Sequence, residues 1–521
     1  MKPILILPLL LTATTLRAEL KLPAIFGDHM VLQQKQADPV WGWDTPGTQV
    51  TVTFAGQTKT AQADAAGKWS LKLDPMPANA TPATLTIQGT TKREITDVLI
   101  GEVWVCSGQS NMQWQVNQSW DGDLEIKSSK FPQLRLISVP QKGTQEPQYD
   151  FAGAWAPSTP ETVGDFSAVG FYYGRLLHQI LGVPVGLIDN AWGGSAAEAW
   201  VRRDLLEQDP RFQRLMENTR KTENATGDPA AVEKFKADQA DYQQKVEAAK
   251  NGGPPAGKPP IPPPGPPSPG WLAGNARPGN IYNGALLPII GYGIKGAIWY
   301  QGESNATRAA EYGDLFPFMI TNWRKDWGQG DFPFYWVQLA DFKAGQPQPG
   351  ESDWAELRES QTKTQSAVPN GGQAVIVDLG EAADIHPRDK RDVAERLARW
   401  ALVKDYGQSG VYRSPEYKSV TFVNGQAEIT IDLFGSGKLR AHDTAELKGF
   451  AICGEDKKWA WAEAKFTGQG TIQVSAKAVP SPTAVRYAWA DNPDCNITSA
   501  EGLPLTPFRT DAFPRLTEPK P

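Results

Sequence analysis

The sequence predicts an α/β protein in which a central parallel sheet is flanked along the chain by two smaller β modules. Between residues 98 and 408, apolar runs alternate with helical patterns, which is typical of parallel strands joined by helices. On both sides of this region, short alternating apolar and polar runs are broken by Gly and Pro. We therefore predict an N-terminal β-sandwich domain (19–96), a central α/β domain (97–408) and a C-terminal β domain (409–521) whose chain end packs on the core.

The first residues predict an export signal. Met1 to Leu11 combine one lysine with a short apolar run, and Ala18 is a small residue suited to a cleavage site. The run is too short for a comfortable membrane span, and no later stretch is long and apolar enough for one. We predict a signal peptide at residues 1–18, no membrane span, and a secreted or periplasmic protein.

Composition excludes several classes of function. The net charge of -6 provides no basic surface of the kind that nucleic acids require. Three cysteines are too few for a disulfide framework or a thiolate cage, and no histidine pair has ligand spacing. We therefore predict no metal, no other cofactor and no nucleic-acid partner. Cys453 and Cys495 could pair in an oxidising compartment, and Cys106 is predicted to be a small buried hydrophobe.

Two helices of the central region follow from apolar spacing. The first runs from about Val169 to Ile180, with Asp165 or Ser167 as its cap and Gly182 at its end. The second directly follows the loop that contains His386 and ends near Gly407; its apolar residues are Val393, Leu397, Ala398, Ala401 and Leu402. Residues 212–270 are predicted to be an insertion, charged and helix-prone up to residue 250 and rich in Pro from 253 to 270. A passive linker is the favoured interpretation of the Pro-rich part, with a lid or a partner-binding arm as the alternatives.

One serine occupies a position typical of a nucleophile. An apolar run beginning at Gly101 ends in a Gly-Gln-Ser-Asn turn that contains Gly108 and Ser110. A serine just past the carboxyl end of a strand, after a glycine that permits a sharp turn, is exposed to a substrate carbonyl. Ordinary turns also contain these residues, so the serine turn alone does not identify a site.

Three further polar loops follow apolar runs. In a parallel sheet all of these loops lie on the carboxyl edge, beside the serine turn, which is where open α/β folds place their sites. The loops are Asp189–Ser195 after residues 183–188, Gln301–Asn305 after residues 296–300, and Gly380–Pro387 after residues 374–379.

Together the loops supply the groups that acyl transfer requires: a nucleophile, a base, an acid that orients the base, and oxyanion donors. Ser110 supplies the hydroxyl, and His386 has the best context for a base among the four histidines. Asp384, two residues earlier, could hold the imidazole tautomer. The predicted oxyanion donors are the backbone N–H groups of Ser110, Gly193 and Gly194 and the side-chain amide of Asn305.

These blocks resemble the SGNH hydrolase superfamily and, within it, the sialate O-acetylesterase family. The resemblance covers nearly the whole chain after residue 18, except the Pro-rich stretch. The motifs that carry it are Gly-Gln-Ser-Asn-Met (108–112), the glycines 193 and 194, Trp-Tyr-Gln-Gly-Glu-Ser-Asn (299–305), Asp-Ile-His-Pro (384–387), Phe-Gly-Asp-His-Met-Val-Leu-Gln (26–33) and Arg-Tyr-Ala-Trp-Ala-Asp-Asn-Pro (486–493).

The resemblance implies a three-layer α/β/α hydrolase core with β accessory domains, and the removal of O-acetyl groups from sugars without a metal. The superfamily usually has its acid three residues before the histidine, where this chain has Ala383. Asp384 is therefore the predicted acid, with Glu381, Asp378 or a Ser-His dyad as alternatives. We predict that substrate is held by Gln109, Gln301 and Glu303; for Gln109 and Glu303 a loop-bracing role is an equal alternative.

Other functions fit less well. The Gly-x-Ser-x-Gly elbow of α/β-hydrolases is absent, since Met112 occupies its last position. A glycosidase would need two suitably spaced carboxylates, such as Glu303 with Glu381 or Asp384. A non-catalytic glycan-binding protein is the alternative from another class. As an esterase, the protein would act on an O-acetylated carbohydrate, either O-acetyl sialic acid or acetylated xylan and related polysaccharides.

Overall fold

The computed structural model describes residues 19–250 and 269–518. The predicted signal peptide and nearly all of the Pro-rich stretch lie outside the described residues. Within them the chain forms a mixed α/β structure built around one large mixed sheet, with further sheets near both ends of the chain.

The N-terminal part is formed mainly by antiparallel strands, whereas its first strand, Val31–Gln33, pairs in parallel with residues 99–101. In the strand Gln49–Phe54 the side chains of Val50, Val52 and Phe54 are buried while their neighbours are not, as expected for a sheet with one covered face. The strands are β1 (Val31–Gln33), β2 (Asp38–Trp43), β3 (Gln49–Phe54), β4 (Gln57–Gln62), β5 (Lys68–Leu73) and β6 (Asn79–Gln88).

The central part is a parallel sheet. Its strands are β7 (Lys92–Gly108), β8 (Phe131–Ser138), β9 (Ala156–Ser158), β10 (Val185–Ala191), β11 (Gly296–Tyr300), β12 (Phe334–Val337) and β13 (Gly371–Ala374). They lie in the order β13-β12-β11-β7-β10-β8-β9, with every neighbouring pair parallel except the last. The loops after β7, β10 and β11 therefore meet at one edge.

The long strand β7 joins the two parts. Its first half pairs with β6, and its second half pairs with β10 and β11 on either side. The predicted domain boundary at residues 96 and 97 thus falls inside a strand. The large sheet continues from the N-terminal strands into the parallel sheet without a linker.

Helices cover both faces of the parallel sheet. Val103 and Val105 enter one core with the helix Ala309–Trp327. Trp104 and Cys106 enter another core with the helices Ala168–Leu181 and Lys390–Lys404, since side chains alternate along a strand. The helices are α1 (Ser110–Gln113), α2 (Gly122–Lys127), α3 (Ala168–Leu181), α4 (Arg203–Gln208), α5 (Gln213–Ala225), α6 (Pro229–Lys250), α7 (Ala309–Trp327), α8 (Asp353–Ala367) and α9 (Lys390–Lys404).

Both predicted helices are present: α3 has the expected ends, and α9 ends at Lys404, short of the predicted end near Gly407. The hydroxyl of Ser167 accepts a hydrogen bond from the Gly170 N–H at the start of α3, and Gly182 ends the helix with a φ of 66°. Helices α5 and α6 lie in the predicted charged insertion.

The C-terminal part is again all β. Its strands are β14 (Glu416–Val423), β15 (Gln426–Asp432), β16 (Leu439–Ala441), β17 (Phe450–Cys453), β18 (Ala460–Trp461), β19 (Glu463–Gly468), β20 (Thr471–Ser475), β21 (Ala484–Tyr487), β22 (Ile497–Ser499) and β23 (Phe508–Arg509). After β23 the chain returns to the central part, where the backbone N–H and hydroxyl of Thr517 donate to the carboxylate of Glu356 in α8.

Cys106, Cys453 and Cys495 are all free thiols in the structure. Cys106 is fully buried on the face of β7 that packs against α3, as predicted. Over residues 19–250 and 269–518, no helix combines the length and apolar character needed to cross a bilayer. Within the same ranges, no three His, Cys, Asp or Glu side chains cluster as metal ligands would.

Asp38 in β2 is a buried carboxyl group that predicts a pH-dependent stability. Among the described residues neither of its side-chain oxygens has a well-formed hydrogen bond, and burial raises the pKa of Asp38 to about 8. A carboxyl pKa that is higher in the folded than in the unfolded chain stabilises the fold below about pH 4, and this stabilisation is lost as the pH rises towards 8. Asp38→Asn is therefore expected to raise Tm at pH 8 by about 5 °C, and much less at pH 5.

Calorimetry at both pH values checks this prediction. Asp44→Asn is the matched control, because the buried Asp44 carboxylate accepts three hydrogen bonds, from the Thr45 N–H and from the N–H and hydroxyl of Thr90. This variant should lose stability. An equal Tm change for Asp38→Asn at both pH values would contradict the argument.

Candidate active site

The serine turn connects β7 to α1. Gly108, the last residue of β7, has a φ of 140°, and a Cβ there would lie 2.2 Å from the carbonyl oxygen of Tyr300 on β11. Only glycine fits this approach of two backbones. The turn places Ser110 as the first residue of α1, at the edge where β10 and β11 also end.

Ser110 and His386 are in direct contact. Ser110 Oγ lies 2.8 Å from His386 Nε2, within hydrogen-bond distance. The imidazole also stacks on the indole of Trp114, with ring centroids 4.9 Å apart and an interplanar angle of 17°. The two residues, 276 positions apart in the chain, thus have the geometry of a nucleophile and its base.

The surroundings of His386 favour the neutral imidazole. Burial lowers the pKa of His386 below its usual value, the nearby Lys390 cation acts in the same direction, and Asp384 opposes both. A histidine that is neutral near pH 7 can accept a proton from a serine hydroxyl.

Among the three candidate acids, Asp384 faces the imidazole. Asp384 Oδ1 lies 3.4 Å from His386 Nδ1 and accepts a hydrogen bond from the His386 backbone N–H at 2.9 Å. Glu381 is paired with Arg388, and Asp378 forms a bidentate ion pair with Arg396. The Asp384 side chain is 52% exposed and its contact with the ring is long, so it forms a weaker partner than a buried triad acid.

The glycines after β10 lie beside the serine. A Cβ on Gly193 would lie 3.3 Å from Ser110 Cβ, so the Gly193 backbone packs directly against the serine. The Gly193 N–H donates to Gln113 Oε1 at 2.7 Å, and its carbonyl accepts from Asn275. Gly194 has a φ of 71°, which suits glycine.

Asn305 is buried in a network of its own. Its amide nitrogen donates to Glu198 Oε2 at 3.0 Å, and its oxygen accepts from the Ala197 N–H and from Gln301 Nε2. The donor that was predicted to face an oxyanion is thus directed at Glu198. This arrangement favours a structural role for Asn305.

The predicted substrate-holding residues also bond to protein groups. Gln109 Oε1 accepts from the N–H groups of Gly302 and Ser304, both at 3.3 Å. Gln301, fully buried, accepts from the Tyr312 hydroxyl at 3.0 Å. These contacts favour the loop-bracing interpretation of Gln109 and place Gln301 inside the core.

Glu303 is joined to Asn111 and, through Asn111, to Lys390. Asn111 Nδ2 donates to Glu303 Oε1 at 2.6 Å and to the carbonyl of Ile385 at 3.0 Å, while Asn111 Oδ1 accepts from Lys390 Nζ at 2.6 Å. Asn111, Trp114 and Lys390 are thus part of the site. Asn111 belongs to the Gly-Gln-Ser-Asn-Met motif and Trp114 is close to Ser110 in sequence, whereas the only signal for Lys390 was its closeness to His386.

Comparison with known proteins identifies the family of this chain. A family model described as carbohydrate esterase, sialic acid-specific acetylesterase, matches residues 100–235 and 282–395. The sialate O-acetylesterase of Mus musculus is 30% identical over 92% of this chain and 92% of its own length. The human sialate O-acetylesterase is 27% identical, covering 97% of this chain and 95% of its own.

A solved structure is similar over almost the full length. The crystal structure of a carbohydrate acetylesterase from Xanthomonas citri superimposes with a TM-score of 0.78 at 36% identity, covering 95% of this chain and 100% of that one. The site and these similarities define a carboxylic ester hydrolase. The chain belongs to the sialic acid-specific acetylesterase family of carbohydrate esterases.

Proposed function

We propose that this protein is an exported serine esterase that removes O-acetyl groups from carbohydrates by way of an acetyl-enzyme. The observation that carries the proposal is the 2.8 Å contact between Ser110 Oγ and His386 Nε2 in a chain of this family. Helices on both faces of a parallel sheet support the SGNH type of hydrolase core. Export rests on the pattern of residues 1–18.

In the first half-reaction His386 Nε2 takes the proton of Ser110 Oγ as the oxygen attacks the acetyl carbonyl carbon. The resulting oxyanion is bound by the backbone N–H groups of Ser110 and Gly193. For Gly193 to donate, the side chain of Gln113 moves off its N–H. The bond between the carbonyl carbon and the sugar oxygen then breaks, the imidazolium returns its proton to that oxygen, and acetyl-Ser110 remains.

In the second half-reaction water replaces the sugar. His386 takes a proton from the water, whose oxygen attacks the acetyl carbon of acetyl-Ser110. The bond to Ser110 Oγ breaks, the imidazolium protonates Oγ, and acetate leaves. Asp384 is the residue that orients the imidazole and offsets its positive charge in both steps.

The long contact to Asp384 predicts a graded loss of activity. Because the carboxylate is half exposed and 3.4 Å from Nδ1, Asp384→Asn is expected to lower kcat about 10- to 100-fold, less than the roughly 10⁴-fold loss seen for buried triad acids. Glu381→Gln is the matched control, since Glu381 is engaged with Arg388, and it should change kcat by no more than a fewfold. Steady-state hydrolysis of 4-nitrophenyl acetate measures both variants. A larger loss of kcat for Glu381→Gln than for Asp384→Asn would show that Glu381, and not Asp384, is the acid that orients His386.

The relatives named as sialate O-acetylesterases support O-acetylated sialic acid as the first substrate to test. The Xanthomonas citri protein is named as a carbohydrate acetylesterase, which supports O-acetylated carbohydrates as a class. Acetylated xylan and related polysaccharides are the second substrates to test.

The experiment measures acetate released by the full chain from O-acetylated sialic acid, acetylated xylan and 4-nitrophenyl acetate. We expect turnover of 4-nitrophenyl acetate and the highest kcat/KM on O-acetylated sialic acid; a preference for acetylated xylan would select the second substrate. Binding of these glycans without acetate release would favour the non-catalytic alternative. Fractionation of the producing cells tests export, because activity confined to the cytoplasm would contradict it.

A further inference from the structure

A buried polar cluster, the Lys390 network, lies next to the Ser110–His386 pair. It consists of Lys390, Asn111 and Glu303, with Lys390 Nζ 2.6 Å from Asn111 Oδ1 and Asn111 Nδ2 2.6 Å from Glu303 Oε1. Lys390 is the first residue of α9 and has no exposed surface. Burying an ammonium group costs much free energy, so a lysine in this position calls for a reason beyond packing.

The network is connected to His386 in two ways. Asn111 Nδ2 donates to the carbonyl oxygen of Ile385, the residue before His386, at 3.0 Å. The Trp114 indole stacks on the imidazole, and Lys390 Nζ lies 5.6 Å from the centroid of the same indole. A substitution of Lys390 is therefore expected to affect both the backbone next to His386 and the environment of its imidazole ring.

Resting on the proposed esterase function, we propose that Lys390 is a positioning residue for His386. It holds Asn111, and through Asn111 the His386 loop, against the serine turn, and its positive charge favours the uncharged imidazole. The residue touches neither Ser110 Oγ nor the His386 nitrogens through a hydrogen bond in the structure, so it acts through its neighbours.

The charged groups around His386 and Lys390 define the direction in which the pKa of each is shifted. His386 is influenced by the Asp384 carboxylate, which favours the imidazolium, and by Lys390, which disfavours it. Lys390 in turn is influenced by four carboxylates, those of Glu303, Asp384, Asp389 and Glu381, all of which favour its charged form.

Burial outweighs these carboxylates and lowers the pKa of Lys390 to about 7. As the pH falls below 7 the ammonium becomes charged in the range where the imidazole would take up its own proton. Two neighbouring cations repel each other, so His386 stays neutral to a lower pH than it would without Lys390.

The test is the pH dependence of kcat/KM for 4-nitrophenyl acetate in the full chain. Lys390→Met keeps the length of the side chain and removes its charge, so the acid limb of the profile should move to higher pH by about half a unit or more. Lys404→Met, at the other end of α9 and exposed, is the matched control and should leave the limb in place. A limb at the wild-type pH in a folded Lys390→Met protein would overturn the proposal.

A second measurement covers the case in which Lys390→Met does not fold. Lys390→Gln retains a hydrogen-bond donor for Asn111 but not the charge, and it should move the acid limb in the same direction. In Ser110→Ala protein labelled with ¹³C at the histidine Cε1, the titration of His386 can be followed directly, with His386→Gln assigning its signal among the four histidines. Adding Lys390→Gln should raise the midpoint of that signal, and an unchanged midpoint would again overturn the proposal.

These outcomes separate the inference from the proposed function. Wild-type protein that hydrolyses none of the acetyl esters contradicts the esterase itself. Active wild type whose acid limb does not respond to Lys390 contradicts only the role of Lys390.

Discussion

Replacing Ser110 with alanine is expected to lower kcat for 4-nitrophenyl acetate by about a thousandfold or more. The reason is that no other hydroxyl among the described residues lies against His386 Nε2, so the acetyl-enzyme cannot form. The substitution removes one atom from the first residue of a short helix, and the fold should be preserved. Steady-state kinetics on the purified protein measures the loss.

Ser304→Ala is the matched control for this variant. Ser304 lies in the neighbouring loop and is exposed, and its backbone N–H donates to Gln109. Its hydroxyl makes no side-chain hydrogen bond with the described residues. Its activity should stay close to wild type. Full turnover by Ser110→Ala would remove Ser110 as the nucleophile.

Replacing His386 with glutamine is expected to lower kcat for 4-nitrophenyl acetate by a similar factor, because Ser110 then has no base. The two losses should not add: the double variant Ser110→Ala with His386→Gln should be about as inactive as either single variant, since the residues act as a unit. His442→Gln, an exposed histidine in the C-terminal β part, is the control and should retain activity.

The pH dependence of kcat/KM gives an independent measure of the protonation of His386. Burial lowers the pKa of this histidine below its usual value, and the reaction requires the neutral ring. Wild-type kcat/KM should therefore fall as the pH drops through a value below 6.5, and this limb should be missing from the residual activity of His386→Gln. A limb at a pH above 6.5 would contradict the assignment.

The sequence could predict the elements that have a strong period. Helix α3 follows from its apolar spacing and its cap at Ser167, and the loops of the site follow from apolar runs that end in polar turns. The contact between Ser110 and His386 could be anticipated because parallel strands bring their carboxyl ends to one edge.

Hydrogen-bond directions could not be predicted from the same patterns. Whether the amide of Asn305 faces a substrate or Glu198 depends on the side-chain angle and on a partner more than a hundred residues away. Among Asp378, Glu381 and Asp384 the sequence could not decide, because the arginines that engage the first two lie on or next to α9. Lys390 gives no signal in the sequence beyond its closeness to His386, because a lysine is usually exposed, whereas in the structure this one is wholly buried.

Strand β7 has a consequence for how this protein can be divided. Because the same strand pairs with β6 at one end and holds the serine turn at the other, the N-terminal strands cannot be exchanged or removed as an independent unit. A chain beginning at residue 97 would start inside β7 and leave unpaired backbone groups beside the strand that carries the nucleophile. A shortened or chimeric version of this esterase has to keep the strands from β1 onward together with the parallel sheet.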